Sequence, residues 1–316
     1  MTDLQKLECY KCKKLLAENL VLPKGLCVYC AADEAEQLPQ PKKQNKEQKA
    51  AQTAQLRAEQ ELAKRILARK RMLPFVEKFN PDYQAGWVHK DICKRLEKFS
   101  QDVANKESPR LMLFMPPRHG KSTLASIAFP AWHLGRNPEH EFISCSYSGS
   151  LAMSFSRKVR QVLREPSYKK VFEDTRLDKD SQSVESWQTT QGGGYVAAGV
   201  GGGITGKGAH ILLIDDPIKN REDAESENNR EATWDWYTST AYTRLAPGGG
   251  ILVILTRWHD DDLAGRLLMA SENGADDWEV VKYPALAEED EEFRKEGDPL
   301  HPERYTCLLY TSPSPR

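Results

Sequence analysis

One stretch of the sequence, residues 111–134, decides the fold, and it reads LMLFMPPRHGKSTLASIAFPAWHL. Residues 111–115 form a short apolar run that predicts a buried strand, and residues 123–134 have the pattern of a helix. The loop between them, residues 115–122, approaches the pattern G-x4-G-K-[ST], with Met115 at the position of the first glycine. Such a loop can hold a phosphate, because its backbone N–H groups and the helix N-terminus converge on the anion. An incidental glycine-lysine turn is the alternative interpretation.

A second glycine-rich stretch, residues 201–208, approaches the same pattern but has glycine where the Ser or Thr should be. Another predicted strand, HILLI at residues 210–214, follows it within two residues, so that no helix N-terminus lies beneath its glycines. The first loop is therefore the predicted nucleotide site, with Lys121 for the terminal phosphates and Ser122 for magnesium. The segment 192–208 is predicted to be a mobile loop near this site or along a DNA channel. The predicted nucleotide-binding residues are Pro117, Arg118, His119, Gly120, Lys121, Ser122, Thr123 and Asp215.

Two acids, Asp215 and Asp216, follow the apolar run ILLI. A short, wholly apolar strand is typical of the centre of a parallel sheet, and acids at its end would complete an ATPase site. Asp215 is predicted to hold Mg²⁺ through water, and Asp216 to orient or polarise the attacking water. The alternative is that two adjacent acids simply cap the end of a strand.

Two more side chains join the predicted catalytic set, which is Asp216, Arg118 and Thr256. Arg118 lies inside the loop, where its guanidinium can offset charge that develops at the γ-phosphate of its own subunit or of a neighbour. A structural ion pair is the alternative. Thr256 follows a predicted strand at 251–255 and is expected near the γ-phosphate, because the ends of parallel strands share one edge of a sheet. Helix capping is the alternative there, and Asp260 is predicted to be the N-cap of the next helix.

The wider pattern from residue 109 onward is typical of an α/β domain, because short apolar runs alternate with helical segments. Further strands are predicted at 141–146 and 211–214, and further helices at 151–163 and 231–245. We therefore expect a P-loop domain of the RecA type, in which helices flank a parallel sheet.

The composition is that of a globular chain. It has 316 residues, 45 Lys and Arg against 46 Asp and Glu, a net charge of -1 and 39% hydrophobic residues. This length allows roughly two domains of about 100–200 residues each. No apolar run is long enough for a membrane helix, and the N-terminus lacks an apolar signal region, so neither membrane insertion nor secretion is expected. The near-neutral charge excludes a uniformly basic nucleic-acid coat but not a local basic patch.

Four of the 7 cysteines form two CxxC pairs near the N-terminus: Cys9, Cys12, Cys27 and Cys30. Two such pairs at this separation suit tetrahedral zinc. Two disulfides or four unrelated buried thiols are the alternatives, and the lack of a signal peptide favours zinc. The predicted zinc-binding unit is residues 1–32. Three other cysteines are interpreted as ordinary small hydrophobic residues, namely Cys93, Cys145 and Cys307.

A charged linker, residues 33–72, follows the zinc unit and includes a predicted solvent-exposed helix at about 50–72. Residues 41–72 contain ten Lys or Arg against three acids. This segment could hold DNA, but a charge run is also the ordinary surface of a solvated helix. The P-loop ATPase domain is predicted for residues 73–285, and a truncated or irregular tail for residues 286–316.

Together the motifs resemble the ATPase domain of the large terminase subunit of tailed bacteriophages, over about residues 75–305. The resemblance rests on PPRHGKS, GVGGGITGKGAHILLIDDPIKNREDAES, WDWYTSTAYTRL and ILVILTRWHDDDLAGRL. It implies a motor that binds ATP and Mg²⁺ and moves double-stranded viral DNA into a procapsid. It also implies a homo-oligomeric ring, a small terminase subunit and a portal protein as partners, and the cytoplasm of the infected host cell as the location.

The resemblance also implies roles for single residues. Lys121 and Ser122 would bind ATP and magnesium. Asp216 stands where many relatives have Glu as the catalytic carboxylate, and Thr256 lies in the segment that couples hydrolysis to DNA movement. Residues 83–89 resemble the region that packs on adenine.

The sequence departs from this family at both ends. Family members normally continue into an RNase H-like nuclease domain with two metal ions, and too few residues follow Ala285 for such a domain. The familial pattern ends after Tyr305, so we expect a truncation or a junction with foreign sequence near Cys307 and no DNA-cutting activity. Two alternative functions stay open: a zinc-dependent nucleic-acid-binding adaptor with an inert P-loop domain, and a RecA-like DNA helicase, which would normally need a second lobe.

Overall fold

The computed structural model describes residues 6–8, 15–17, 46–204 and 206–304. The chain divides into two compact units, Met1–Lys70 and Arg71–Arg316. The first unit contains two short antiparallel strands and a long helix: β1 (Lys6–Glu8), β2 (Leu15–Ala17) and α1 (Lys46–Lys70). The helix predicted at about 50–72 corresponds to α1. The four cysteines of the predicted zinc site lie outside the described residues, so that site stays a prediction.

A single sheet forms the centre of the second unit. Its strands are β3 (Arg110–Phe114), β4 (Glu141–Ser146), β5 (Leu177–Gln182), β6 (Ser186–Thr189), β7 (Gly194–Gly199), β8 (Ala209–Asp215), β9 (Leu245–Leu255) and β10 (Glu279–Lys282). Their order is β10-β3-β9-β8-β4-β7-β6-β5. All pairs from β10 to β7 are parallel, whereas β6 and β5 pair antiparallel at one edge. The predicted α/β sheet is thus confirmed, but it is mixed rather than wholly parallel.

Helices cover both faces of this sheet. The α-helices are α2 (Met72–Phe79), α3 (Trp87–Ala104), α4 (Phe129–Arg136), α5 (Gly149–Arg164), α6 (Pro166–Val171), α7 (Arg221–Glu225), α8 (Glu227–Trp236) and α9 (Leu263–Glu272). On one face, α8, α9 and the π-helical turns Tyr237–Ala241 pack against alternate residues of the central strands. On the other face, Phe129 of α4 contacts Phe142 of β4, with 6.0 Å between ring centroids. Burial on both faces explains why β3, β8 and the end of β9 are almost wholly apolar.

Two predicted helices differ in detail from the structure. The helix expected at 123–134 begins as π-helical turns, Thr123–Ala128, and becomes α-helical only at Phe129. This widening directly precedes Pro130, which has no N–H to donate to the preceding turn. The helix expected at 231–245 ends its α-helical part at Trp236, and β9 begins at Leu245, earlier than predicted.

The prediction that residues 192–208 form a mobile loop is wrong for their first half. Residues 194–199 are β7, which pairs with β4 on one side and β6 on the other. Glycines in this strand and directly before it allow close backbone packing: a Cβ on Gly199 would lie 2.8 Å from the N atom of Gly149, and one on Gly193 would lie 2.3 Å from the carbonyl oxygen of Pro138. Tight packing thus explains these glycines better than mobility does.

Cys93 and Cys145 are buried and free, which fits their interpretation as small hydrophobic residues. Burial raises the pKa of both thiols. In the part of the chain that the structure describes, no helix combines the length and apolarity needed to cross a membrane.

Candidate functional site

Three neighbouring central strands have their carboxyl ends side by side, and the predicted site residues follow these ends. The middle strand is β9, which lies between β3 and β8. Backbone hydrogen bonds join the segments that leave these strands: Met115 N donates to Leu255 O (3.2 Å), and Asp216 N donates to Ile254 O (2.8 Å). The 115–122 loop, the two acids and the residue after β9 therefore lie next to one another.

The 115–122 loop connects the end of β3 to a helical turn that begins at Lys121. It turns through two residues with positive φ, Arg118 at 65° and Gly120 at 85°. Glycine adopts this conformation without cost, but an arginine does so only under strain, which is frequent at ligand-binding loops. The Leu124 N–H donates to Gly120 O (3.0 Å) and starts the helix, so the free N–H groups of the first turn face the loop.

Lys121 reaches from this loop to both other strand ends. Its side chain is buried, and its Nζ atom lies 2.6 Å from Asp216 Oδ1 and 2.8 Å from Thr256 Oγ1. The ammonium group therefore lies where β3, β8 and β9 end.

Asp215 is the buried acid of the pair, and it faces the helix that follows the loop. The Ser126 hydroxyl donates to Asp215 Oδ2 (2.6 Å), and the nearby Ser122 hydroxyl, like Ser126, favours the ionised form and lowers the pKa of this carboxyl group. Burial raises the pKa of Asp215, and the adjacent charge of Asp216 raises it further. Among the described residues, no hydrogen-bond donor contacts Asp215 Oδ1. A buried carboxylate oxygen without a donor is unfavourable, so this atom is suited to a water bound by a cation.

Asp216 is held by both its backbone and its side chain. Its φ is 46°, which is strained for a non-glycine residue. Its carbonyl oxygen accepts from Tyr147 N (3.0 Å), and its Oδ1 atom accepts from Thr256 N (2.9 Å) as well as from Lys121. The carboxylate thus lies directly beside the lysine of the loop.

Thr256 contacts each of the other elements. Its hydroxyl accepts from Lys121 and donates to Met115 O (3.2 Å), while its N–H bonds Asp216. A single residue after β9 therefore touches the start of the loop, the lysine and the second acid.

The comparisons with known proteins identify the family. The profile described as "Terminase large subunit, T4likevirus-type, N-terminal" matches residues 112–306. This chain belongs to the terminase large subunit family. No curated protein matches the terminase chain. The crystal structure of the HK97 bacteriophage large terminase is similar with a TM-score of 0.44 and 16% identity, over 70% of this chain and 45% of that chain. The match thus spans less than half of that solved protein.

The other predicted residues of the terminase loop lie in different surroundings. Pro117 and Arg118 are exposed at the outer turn, whereas His119 is buried. The His119 Nδ1–H donates to Pro117 O (2.8 Å), and burial lowers the pKa of this histidine. Ser122 and Thr123 are half-buried at the start of the helix. The loop therefore presents its arginine outward and its lysine inward.

The second glycine-rich stretch of the terminase chain lies away from this site. Its Lys207 is exposed and lies two residues before Ala209, the first residue of β8, whereas Asp215 is the last residue of that strand. A seven-residue strand is about 20 Å long at 3.3 Å per residue. Lys207 therefore lies at the amino end of β8, whereas Lys121 lies at its carboxyl end.

The prediction that Asp260 is a helix N-cap is wrong, because Asp262 occupies that position. Asp262 Oδ1 accepts from Gly265 N (2.9 Å), and Asp262 Oδ2 pairs with Arg257 Nε (2.7 Å). The chain turns so tightly before α9 that a Cβ on Gly265 would lie 1.7 Å from the carbonyl oxygen of Asp260. Because of this turn, the N-cap lies two residues later in the chain than predicted. The turn also places Asp262 where it pairs with Arg257, the residue that follows Thr256.

Sequence reasoning missed Ser126, which donates to Asp215. It placed His89 in the segment that resembles an adenine-packing region, but missed the contact of the His89 ring with the loop. Ser126 could have been found from its position one helical turn after Ser122. In the described part of the chain, no group of three or more His, Cys, Asp or Glu is arranged to hold a metal ion. Ser122 and Asp215 are the residues that could hold a magnesium ion together with phosphate oxygens and water.

Proposed function

We propose that this chain is the ATPase motor subunit of a phage terminase, which couples ATP hydrolysis to translocation of double-stranded viral DNA into a procapsid. Membership of the terminase family supports the packaging role. One observation supports the ATPase site above all: Lys121 of the loop contacts both Asp216 and Thr256 where three parallel strands end. Ligands of open α/β sheets bind at the carboxyl ends of the strands.

The loop residues would bind the nucleotide. The backbone N–H groups before Leu124 would bind phosphate oxygens, and the Lys121 ammonium would bind the terminal phosphates. Ser122 and Asp215 fit a magnesium ion, because Asp215 Oδ1 is buried without a donor among the described residues and the Ser122 hydroxyl is close enough to this carboxyl group to lower its pKa. Bound Mg²⁺ would neutralise charge on the phosphates.

Asp216 would act on the attacking water. The water oxygen forms a bond to the γ-phosphorus, the bond from that phosphorus to the bridging oxygen breaks, and ADP and phosphate leave. Asp216 would accept the proton that the water loses. Arg118, exposed at the outer turn, would offset charge on the γ-phosphoryl group of its own or a neighbouring subunit.

Thr256 would connect the state of the nucleotide to the rest of the domain. It contacts Lys121 through its hydroxyl, and the next residue, Arg257, is paired with Asp262 at the start of α9. A shift of Lys121 towards a phosphate would therefore reach α9 through two contacts. The proposal also includes assembly into a homo-oligomeric ring, with a small terminase subunit and a portal protein as partners, in the cytoplasm of the infected host. Family membership supports these parts of the proposal.

The test compares two lysines that each follow a glycine. We expect Lys121→Ala to reduce ATP turnover at least about 100-fold, because one charged contact to the transferred phosphoryl group is lost. Lys207→Ala is the matched control and should keep the turnover of the unchanged protein. Phosphate release is measured with and without double-stranded DNA, and circular dichroism checks that both variants are folded.

Normal turnover in folded Lys121→Ala would refute the site. Loss of turnover in Lys207→Ala alone would instead assign the phosphate loop to residues 201–208. A protein that binds DNA but hydrolyses no ATP, alone or with DNA, would contradict the motor and favour an adaptor.

A further inference from the structure

The side chain of His89, a residue of α3, contacts the 115–122 loop. It lies in the first turn of α3 and is only 2% exposed. Its Nδ1 atom accepts from Gly86 N (2.9 Å), and its Nε2 atom lies 3.0 Å from the carbonyl oxygen of His119. One ring nitrogen is therefore bonded to the N-terminus of its own helix, and the other to the loop.

These two partners fix the protonation of the His89 ring. A backbone N–H only donates and a backbone carbonyl only accepts, so Nδ1 carries no proton and Nε2 carries one. Burial lowers the pKa of His89 to about 4, and the neighbouring His301 and His119 lower it as well, while the bond to His119 O opposes them. His89 is thus neutral near pH 7 and acts as a fixed donor rather than as an acid or base.

The bond to the His119 carbonyl orients the next peptide group. The C=O and N–H of a trans peptide point in opposite directions, so the Gly120 N–H points away from His89. On the side that faces His89 and Tyr83, Gly120 has little room for a side chain. Its φ is 85°, and a Cβ there would lie 2.8 Å from Tyr83 Oη and 3.3 Å from His89 Nε2. The backbone just before Lys121 is therefore held from behind by two side chains of the 83–89 segment.

We propose that His89 is a positioning residue of the nucleotide site: through the His119 carbonyl it directs the Gly120 N–H towards the phosphate and fixes where Lys121 begins. The inference rests on the proposed function, because it requires a phosphate as the ligand of the loop. It gives the 83–89 segment a mechanical role behind the phosphate loop, distinct from a contact with the base.

Two substitutions separate the two bonds of His89. His89→Gln keeps a side-chain N–H donor near the place of Nε2, whereas His89→Asn keeps an acceptor for Gly86 N but does not reach His119. One lost hydrogen bond corresponds to a roughly three- to tenfold change in an equilibrium constant. We therefore expect His89→Asn to weaken binding of a fluorescent ADP analogue and raise the KM for ATP by that factor. His89→Gln should stay within about twofold of the unchanged protein.

The matched control is His210→Asn. His210 also accepts a backbone N–H, from Glu141 (3.1 Å), but it lies near the amino end of β8, away from the proposed site. The His210→Asn substitution should change neither the affinity for the ADP analogue nor the KM for ATP. Amide hydrogen exchange gives a readout without activity: residues 115–122 should exchange faster in His89→Asn and be unchanged in His210→Asn.

Equal losses in His89→Gln and His89→Asn, or wild-type affinity and exchange in both, would overturn the positioning role. If His89→Asn does not fold, the Gln variant decides, because a loss beyond about twofold there contradicts the proposal. The two proposals can be refuted separately. Normal ATP turnover in Lys121→Ala would refute the ATPase site. Loss of turnover in Lys121→Ala, together with unchanged affinity of His89→Asn for the ADP analogue, would refute only the role of His89.

Discussion

Lys121 and Asp216 form an ion pair of 2.6 Å, and the same Asp216 oxygen also accepts the N–H of Thr256. In the proposed mechanism both residues need other partners, since Lys121 binds phosphate and Asp216 acts on water. The ion pair must therefore open when a nucleotide binds. Binding of the phosphate and release of the catalytic carboxylate would then be one event, which prevents Asp216 from acting before the substrate is in place.

This relationship predicts opposite effects of Asp216→Asn on binding and on chemistry. Without the carboxylate, Lys121 has a weaker competitor, so we expect nucleotide affinity to be equal or higher. Turnover should fall by roughly 10²–10⁴-fold, the usual contribution of a general base. Titration with a fluorescent ADP analogue and single-turnover hydrolysis measure the two effects. Weaker binding together with normal turnover would contradict the proposed role of the pair.

The central strands could be predicted from the sequence because a parallel strand that is covered on both faces admits few polar residues. The run ILLI and its two following acids show this, and so does the run before the 115–122 loop. The antiparallel pair β5 and β6 could not be predicted in the same way. β5 is the edge strand, none of its residues is buried, and its sequence LDKDSQ has no apolar alternation that would indicate a strand.

Side-chain contacts within the site depended on turns that the sequence does not specify. The position of Ser126 one turn after Ser122 was visible in the sequence, but the π-helical turns over Thr123–Ala128 from which it donates to Asp215 were not. Asp262 rather than Asp260 starts α9 because of a tight turn that only Gly265 permits. Three acids in a row, at 260–262, gave no signal to choose between them.

Thr256 is predicted to act through its hydroxyl group. Thr256→Val removes the oxygen that contacts Lys121 and Met115, while the backbone N–H to Asp216 remains. We expect ATP turnover to fall roughly three- to tenfold, the effect of one hydrogen bond. Thr256→Ser restores the hydroxyl and is the matched control, so it should retain most of the turnover. Equal activity in the Val and Ser variants would show that the hydroxyl has no role.

Asp215 is predicted to make folding less favourable as the pH rises. Its pKa in the folded protein is raised above the unfolded value, chiefly by burial, so at a pH between these two pKa values the folded state holds a proton that the unfolded state has lost. The penalty is absent below the unfolded pKa and grows as the pH rises through the folded pKa. Asp215→Asn should therefore increase the free energy of unfolding by about 1–3 kcal/mol at pH 8, and by less at pH 5.

Urea unfolding at the two pH values measures this difference. Asp174→Asn, which changes an exposed carboxyl group, is the control and should show no such dependence. A stabilisation by Asp215→Asn that is equal at both pH values would mean that burial of the charge is not its cause.

The N-terminal cysteines are predicted to hold one zinc ion per chain. Cys12→Ser and Cys27→Ser each remove one of the four predicted thiolate ligands, so both variants should lose bound zinc. Elemental analysis of the purified chain, before and after treatment with a chelator, measures the metal content. Cys93→Ala removes a buried cysteine of the second unit and should leave the zinc content unchanged. Zinc-free wild-type protein with two disulfides would contradict the site.

Gly265 is predicted to be essential for the turn that follows Thr256. A Cβ there would lie 1.7 Å from the carbonyl oxygen of Asp260, so Gly265→Ala must displace the start of α9 and the Arg257–Asp262 pair. We expect the free energy of unfolding to fall by about 2–4 kcal/mol. Gly149→Ala is the control, because a Cβ at this first residue of α5 would meet its nearest atom at 3.7 Å. Urea unfolding followed by tryptophan fluorescence compares the two variants, and equal stability of both would show that the turn has more room than its geometry indicates.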